Sequence, residues 1–407
     1  MIDDGWTLTL LGAFLLLGVL ADAVGRRAHV PRVTLLLLLG FALGPSATRL
    51  VPEAVAAWFP FAARIALSLV GFMLGERLFL GNHHRPGGAR TVLEVSLAES
   101  LTTALVVTGA LWGLGVPLAL ALLLGGIAPA TAPAATLDVV RESGARGPLT
   151  DLVTAVVAID DAYGVILFGV FLVVSMGVTG GAATGDAILE GLFEIAGGIG
   201  LGAGLGLPMA WVTGRVRPGE LTLLETLGFV LLCGGLASTL EVSYLLACVA
   251  LGGVVARRAR HHARPLVAIE RVSGPFLVVF FLLAGFEFEP QVLGAGGALA
   301  ALYVLARAAG KVGGGYLGAR AAGLPPPARR AIGFCLLPQA GVALGMGLIA
   351  AERVPGVGRT LLSLLVGTTF AFEVVGPLAT RAALAAAGET RAARAKAEKT
   401  ACPTSGP

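Results

Sequence analysis

Apolar runs of membrane-crossing length, separated by short polar connections, follow one another from Trp6 to Ala386. Crossing a hydrocarbon core of about 30 Å takes about 20 apolar residues at the helical rise. Dividing the chain at glycines, prolines and charge clusters gives segments near 6–24, 33–50, 54–79, 91–113, 116–140, 149–176, 186–214, 220–239, 242–256, 266–286, 291–319, 328–350 and 359–386. The pattern predicts an all-α polytopic membrane protein of about thirteen transmembrane helices. The run at 242–256 is the shortest of them.

Charge in the connections supplies an independent check on that number. Every other connection, beginning with the first, is basic: Arg26, Arg27 and Arg32; Arg77, Arg85 and Arg90; Arg141 and Arg146; Arg215 and Arg217; Arg257, Arg258, Arg260 and Arg264; Arg320, Arg329 and Arg330. The intervening connections carry Arg49, Arg353 and Arg359 beside the acids Asp186, Glu241, Glu287 and Glu289. Cytoplasmic loops concentrate arginine, so the alternation predicts the N-terminus outside and the C-terminus inside. A wrong segment count would scramble it.

Composition narrows the class. The 407 residues are 56% hydrophobic and 13% charged, about half the ~25% charged fraction of a soluble domain. The net charge of +4 resides in the basic connections, where it reports orientation and lipid contact, and nothing suggests a nucleic-acid partner. Cys233, Cys248, Cys335 and Cys402 lack paired or metal-ligand spacing, and the first three lie in apolar segments, so they are expected as small core residues. The acidic start Met1-Ile-Asp-Asp-Gly lacks a basic leader, so the first apolar run is expected to be retained as a helix. Residues 1–386 are expected to form one membrane domain, and 387–407 a cytoplasmic tail too poor in large apolar groups to pack.

Two segments are interrupted. Ala128-Pro129-Ala130-Thr131-Ala132-Pro133 puts two prolines inside the fifth, and Leu337-Pro338-Gln339-Ala340-Gly341 interrupts the twelfth. Proline removes a backbone donor and clashes with the preceding turn, so both helices are expected to unwind. Unwound backbone at membrane depth is tolerated where it is buried in protein or lines a watery cavity, and paired breaks in two halves of a transporter point to its ion site. Each broken segment is followed by one further helix, the arrangement an inverted repeat requires.

The sixth segment carries Asp160 and Asp161 near the middle of an apolar run. An acid at a helix centre costs about 2.5–3.5 kcal/mol to insert, so two without a use would be expensive. Their side chains point about 100° apart and can serve different partners in one cavity. Repulsion between them favours keeping a proton on one, which suits exchange of a proton for a cation. The eleventh segment offers the counter-charge: Arg307 and Lys311, four apart, share a face. The other lysines, Lys396 and Lys399, are in the tail, and an amine can give up its proton on burial where a guanidinium does not. Snorkelling of either cation to the inner surface is the alternative. Glu94, Glu99, Glu194, Glu225 and Glu373 are expected to be structural, because no paired cation is evident for them. Glycines 198, 202 and 206 are expected to permit close helix packing.

Around Ile159-Asp160-Asp161 the chain resembles bacterial sodium/proton antiporters of the cation:proton antiporter superfamily, especially the thirteen-helix type with an outside N-terminus. The resemblance extends over nearly the whole chain, through Gly40-Phe-Ala-Leu-Gly44-Pro45, the Thr131-Ala132-Pro133 break, Arg-Gly-Pro-Leu-Thr150, Arg307 to Lys311, and Leu337-Pro338-Gln339-Ala340-Gly341-Val342. It implies inverted repeats with two crossing discontinuous helices, and Asp161 as carrier of the proton or of a monovalent metal cation. It implies that Asp160 pairs with Lys311 when no cation is bound, with Thr131, Ala132 and Gln339 near the cation. Core helices would span roughly 91–176 and 291–386, and a scaffold, roughly 1–79 and 186–256, would form a homodimer. Paired aspartates imply electrogenic exchange of two protons per sodium. Some relatives carry an acid in the first break where Thr131 stands here, which leaves sodium, lithium and potassium all open as the ion.

The expected function is therefore secondary antiport of sodium, lithium or potassium against protons in a bacterial inner membrane, with no enzyme activity and no cofactor. A sodium-coupled symporter of organic acids on a related fold is the rival reading; it would need a roomier cavity with a polar substrate site. An intramembrane aspartyl protease would draw its two acids from different helices, whereas Asp160 and Asp161 are adjacent.

Overall fold

A computed structural model of the chain describes residues 4–28, 32–80, 88–179, 185–213, 215, 220–261, 263–288, 290–339, 341–354 and 356–395. The apolar runs form helices, because a backbone surrounded by hydrocarbon must satisfy its own donors and acceptors within the segment. Among the described residues these are α1 (Asp4–Ala28), α2 (Arg32–Leu43), α3 (Phe59–Leu80), α4 (Gly88–Gly113), α5 (Leu118–Ile127), α6 (Pro133–Ser143), α7 (Pro148–Thr179) and α8 (Gly185–Thr213). Then come α9 (Glu220–Thr239), α10 (Tyr244–Arg258), α11 (Ala263–Phe286), α12 (Pro290–Ala321), α13 (Pro326–Cys335), α14 (Gly341–Arg353) and α15 (Gly358–Ala386). A short 3-10 helix, Glu53–Trp58, precedes α3.

The protein is an all-helical, polytopic membrane protein. Among the described residues, eight helices are long and apolar enough to cross a bilayer by themselves. Large apolar side chains such as Leu8, Leu16, Phe61, Leu105, Val170 and Leu378 face outward, a surface suited to lipid tails and not to water. Trp6, Trp112 and Trp211 stand exposed near helix ends, where amphipathic rings favour the headgroup level.

Prolines act differently by context. Pro208, Pro275 and Pro377 sit inside continuous helices. Helices α5 and α6 are interrupted over residues 128–132 and α13 and α14 over 336–339, so α5 and α6 form one broken pair and α13 and α14 a second; Ala340 lies outside the described residues. Pro133 opens α6 at its first turn, where the missing N–H costs nothing.

Packing falls into two groups. In one, α10 lies against α3 and α8, and α11 against α2 and α3. In the other, α12 lies along α4, α5 along α7, and α13 and α14 along α15. The expected glycines of α8 meet α10: a methyl at Gly202 would overlap the Ala247 carbonyl, and one at Gly198 would stand 2.8 Å from that of Ser243. A second stripe, which the sequence reading passed over, joins α12 to α4. Added Cβ atoms at Gly310, Gly314 and Gly318 would lie 2.7, 2.8 and 2.8 Å from the Cα atoms of Thr103, Glu99 and Val95. Only glycine lets the backbones come this close. Cys233, Cys248 and Cys335 are buried free thiols; Cys402 lies outside the described residues.

The start of the tail departs from expectation. After Gly388, a turn at φ +79°, Glu389 accepts hydrogen bonds from the backbone N–H groups of Leu149 (2.9 Å) and Thr150 (2.7 Å) and from the Thr150 hydroxyl (2.6 Å). It thereby satisfies orphan donors in the first turn of α7 and places a negative charge at the positive end of that helix. Arg394 donates to the carbonyls of Gly144 (2.9 Å) and Arg146 (3.0 Å), and residues 391–395 are helical. Polar contacts to a helix terminus thus hold a segment that has no large apolar groups. Residues 396–407, including Lys396 and Lys399, lie outside the described residues.

Glu389→Ala is expected to cost about 1–2 kcal/mol, seen as a lower thermal unfolding midpoint of purified protein in detergent. Gly314→Leu is expected to cost about 1–3 kcal/mol by forcing α4 and α12 apart, and the same assay checks it.

Candidate functional site

Four elements meet at the middle of the second group: α7 with its two aspartates, α4, α12 and the paired breaks. The breaks are joined directly, the Ala132 N–H donating to the Pro338 carbonyl at 2.9 Å. Unwinding frees other carbonyls, and α12 supplies donors for them. Arg307, fully buried, gives Nε to Ala128 O (2.9 Å), Nη2 to Ala130 O (2.7 Å) and Nη1 to Leu337 O (2.7 Å). Its guanidinium also lies 4.2 Å from the ring centre of Phe372 on α15. One planar fork therefore spans both breaks, which the point charge of a lysine cannot do.

Lys311, one turn further along α12, is fully buried too, so neither cation snorkels. Its ammonium donates to Pro129 O (2.5 Å) and lies 3.2 Å from Asp160 and 2.8 Å from Glu99. Asp160 also accepts from Ser96 Oγ (2.9 Å) and Ser100 Oγ (3.1 Å) on α4. Glu99 accepts from Thr103 Oγ1 at 2.9 Å. Two buried acids thus share one amine, an arrangement in which the attraction must offset the loss of hydration.

Asp161 looks the other way. Its carboxylate accepts the Thr131 N–H of the first break at 3.0 Å and lines a cavity of about 470 Å³. Thr131, Ala132, Pro133 and Glu373 line it as well, with the apolar Leu67, Met73 and Phe281 and the charged Asp22, Arg32 and Asp138. Several polar atoms here have no hydrogen-bond partner among the described residues: Thr131 Oγ1, Gln339 Oε1 and both carboxylate oxygens of Glu373. Gln339 donates only a long 3.5 Å contact to the Tyr303 hydroxyl. All of the unpartnered atoms are oxygens, the donor type that hard cations take.

The residues singled out from sequence therefore lie together. Asp160, Asp161, Thr131, Ala132, Pro129, Pro338, Arg307 and Lys311 are linked by hydrogen bonds, and Gln339 adjoins Pro338. The reading of Glu99 as an acid without a cation is corrected by its contact with Lys311, and that of Glu194 by Arg353 at 3.4 Å. Glu94 pairs with Arg90 (2.6 Å), and the Thr213 hydroxyl donates to Glu225. The signal for Glu99 was present as a polar stripe on an apolar helix, Ser96, Glu99, Ser100 and Thr103 at spacings of three and four.

Known proteins share this architecture. The chain superposes on the sodium proton antiporter MjNhaP1 of Methanocaldococcus jannaschii at pH 8 with a TM-score of 0.73, covering 94% of this chain and 99% of that one at 18% identity. An electron-microscopy structure of the same antiporter gives a TM-score of 0.67, covering 94% and 96% at 18% identity. These likenesses establish the fold. A sequence relative, the ammonium/H⁺ antiporter subunit AmhT of Alkalihalophilus pseudofirmus, is 26% identical over 285 residues, 67% of this chain and 68% of the relative. The model of the transmembrane sodium/hydrogen exchanger family matches residues 12–386, and the chain accordingly belongs to that family of cation/proton antiporters.

Proposed function

We propose that this family member exchanges a monovalent cation for protons by alternating access, with Asp161 as the group that carries either ion. The observation that carries the reading is the division of labour between adjacent carboxylates. Asp160 is engaged by Lys311 and two serines, while Asp161 opens onto the cavity beside the first break. A cation and a proton that compete for one carboxylate cannot both be carried on the same passage, and this couples the two flows. Thr131, Ala132 and Gln339 complete the ion's surroundings, and Lys311 holds Asp160 when no cation is bound. The aspartate pair supports electrogenic exchange.

The arginine alternation supports thirteen crossings with the N-terminus outside, each broken pair counting as one. On that orientation the cavity, bordered by Asp22, Arg32 and Asp138, faces inward. At the opposite end Arg353 lies 3.4 Å from Glu194 and Arg64 lies 3.7 Å from Glu352, tying α14 to α8 and α3. These pairs would break as a core of 91–176 and 291–386 moves against a scaffold of 1–79 and 186–256, which would also form the homodimer interface. The membrane would be the bacterial inner membrane.

Sodium, lithium and potassium are the substrates the site chemistry suits, and the AmhT relationship adds ammonium. Charge argues against an organic anion: Asp22, Asp138 and Asp161 line the cavity against Arg32.

In liposomes with a trapped pH indicator and an acidic interior, external sodium, lithium, potassium or ammonium is expected to alkalinise the interior beyond protein-free vesicles, and Asp161→Asn to abolish the effect. Loss of response to every cation in folded wild-type protein would favour the organic-acid symporter. Arg307→Met, which strands three carbonyls, is expected to cost about 3 kcal/mol or more, whereas Asp161→Asn should leave the unfolding midpoint in detergent nearly unchanged.

A further inference from the structure

Glu373 lies in the middle of α15 with 1% of its surface exposed, and neither carboxylate oxygen has a hydrogen-bond partner among the described residues. A carboxylate buried without a partner costs several kcal/mol, so such a group persists where another species, a proton or a cation, satisfies it. Its neighbourhood is specific. Glu373 lines the same cavity as Asp161 and Thr131, and the Thr131 hydroxyl is also unpartnered. One turn earlier on the same face, Thr369 Oγ1 is buried and unpartnered as well. Helix α15 is pressed onto the second break, where a methyl on Gly376 would stand 2.7 Å from Pro338 Cα. The position of Glu373 is therefore fixed by the same backbone that forms the site.

The available charges do not neutralise it. Arg307 stacks on Phe372 and turns three donors to the carbonyls of the breaks, and Lys311 is taken by Asp160 and Glu99. The other ionisable groups on the cavity wall are Asp22 from α1, Arg32 from α2, Asp138 from α6 and Asp161 from α7.

Resting on the antiport reading, we propose that Glu373 is a second carboxylate of the ion site, holding a proton in the empty state and releasing it as it joins Asp161 in coordinating the transported cation. Nothing is transferred but the proton, which leaves the Glu373 carboxyl for the cavity water as the cation enters. The site then draws carboxylates from two helices, α7 and α15, that line one cavity together with Thr131.

Cation binding to the purified protein, read by calorimetry with sodium and with ammonium separately, tests this without relying on transport. Proton release in weakly buffered solution is followed in parallel. Glu373→Gln, which keeps the shape, is expected to weaken the apparent affinity about ten- to a hundredfold, the range for one charge-assisted contact. It should also reduce the protons released per cation, and Glu373→Asp should restore part of both. Unchanged affinity and proton release in Glu373→Gln, even with a lowered unfolding midpoint, would make the residue merely structural and overturn the proposal. So would a wild type that binds neither cation. Should the wild type bind cations with the expected dependence on Glu373 but move no protons in vesicles, the antiport reading would fall while the second carboxylate stood.

Discussion

A polypeptide that breaks its own helix inside a membrane leaves carbonyls with no water to meet them, and the centre of this protein is organised around that constraint. Arg307 reaches three such carbonyls across two separate breaks, and Lys311 reaches a fourth. Donors that neutral helices cannot provide come at the expense of burying two positive charges, and these in turn require Asp160 and Glu99 close by. The glycine stripe of α12 follows from the same demand, since Lys311 meets Glu99 only if α4 and α12 approach to backbone contact. Unwinding, buried cations, buried acids and small residues are thus one interlocked solution.

Within this arrangement the two adjacent aspartates are chemically unlike. Asp160 belongs to the charge lattice that holds the breaks, whereas Asp161, turned about 100° around the same helix, belongs to the cavity. Adjacent residues on a helix always diverge in this way, and here the divergence sets one carboxylate among the buried cations and the other on the cavity. Glu373, on α15, lines the same cavity.

What the sequence made legible follows the range of the interactions. Apolar runs, prolines and loop arginines are local features, and they led to the helical segments, both interruptions and the aspartate pair. Pro129 and Pro133 accompany one break and Pro338 alone the other, while Pro208, Pro275 and Pro377 are absorbed in continuous helices. Partners drawn from distant helices were harder to see. Glu99 reads as an acid without a paired cation until α12 is laid along α4, and Glu373 reads as a lone acid until Gly376 seats α15 on Pro338. The docking of Glu389 was missed for a related reason: a poorly apolar tail has no core to join, yet the exposed amides of a helix end are sufficient anchorage.

That anchorage has a mechanical meaning. Helix α7 begins at the amides that Glu389 clamps, and Glu389 follows closely on the end of α15, so the helix bearing Asp160 and Asp161 is fastened at its first turn to the end of α15. Neither helix can slide along its axis alone without breaking three hydrogen bonds at once. They form a yoke, and any load applied to the chain beyond Thr390 is passed to the helix that carries the aspartates.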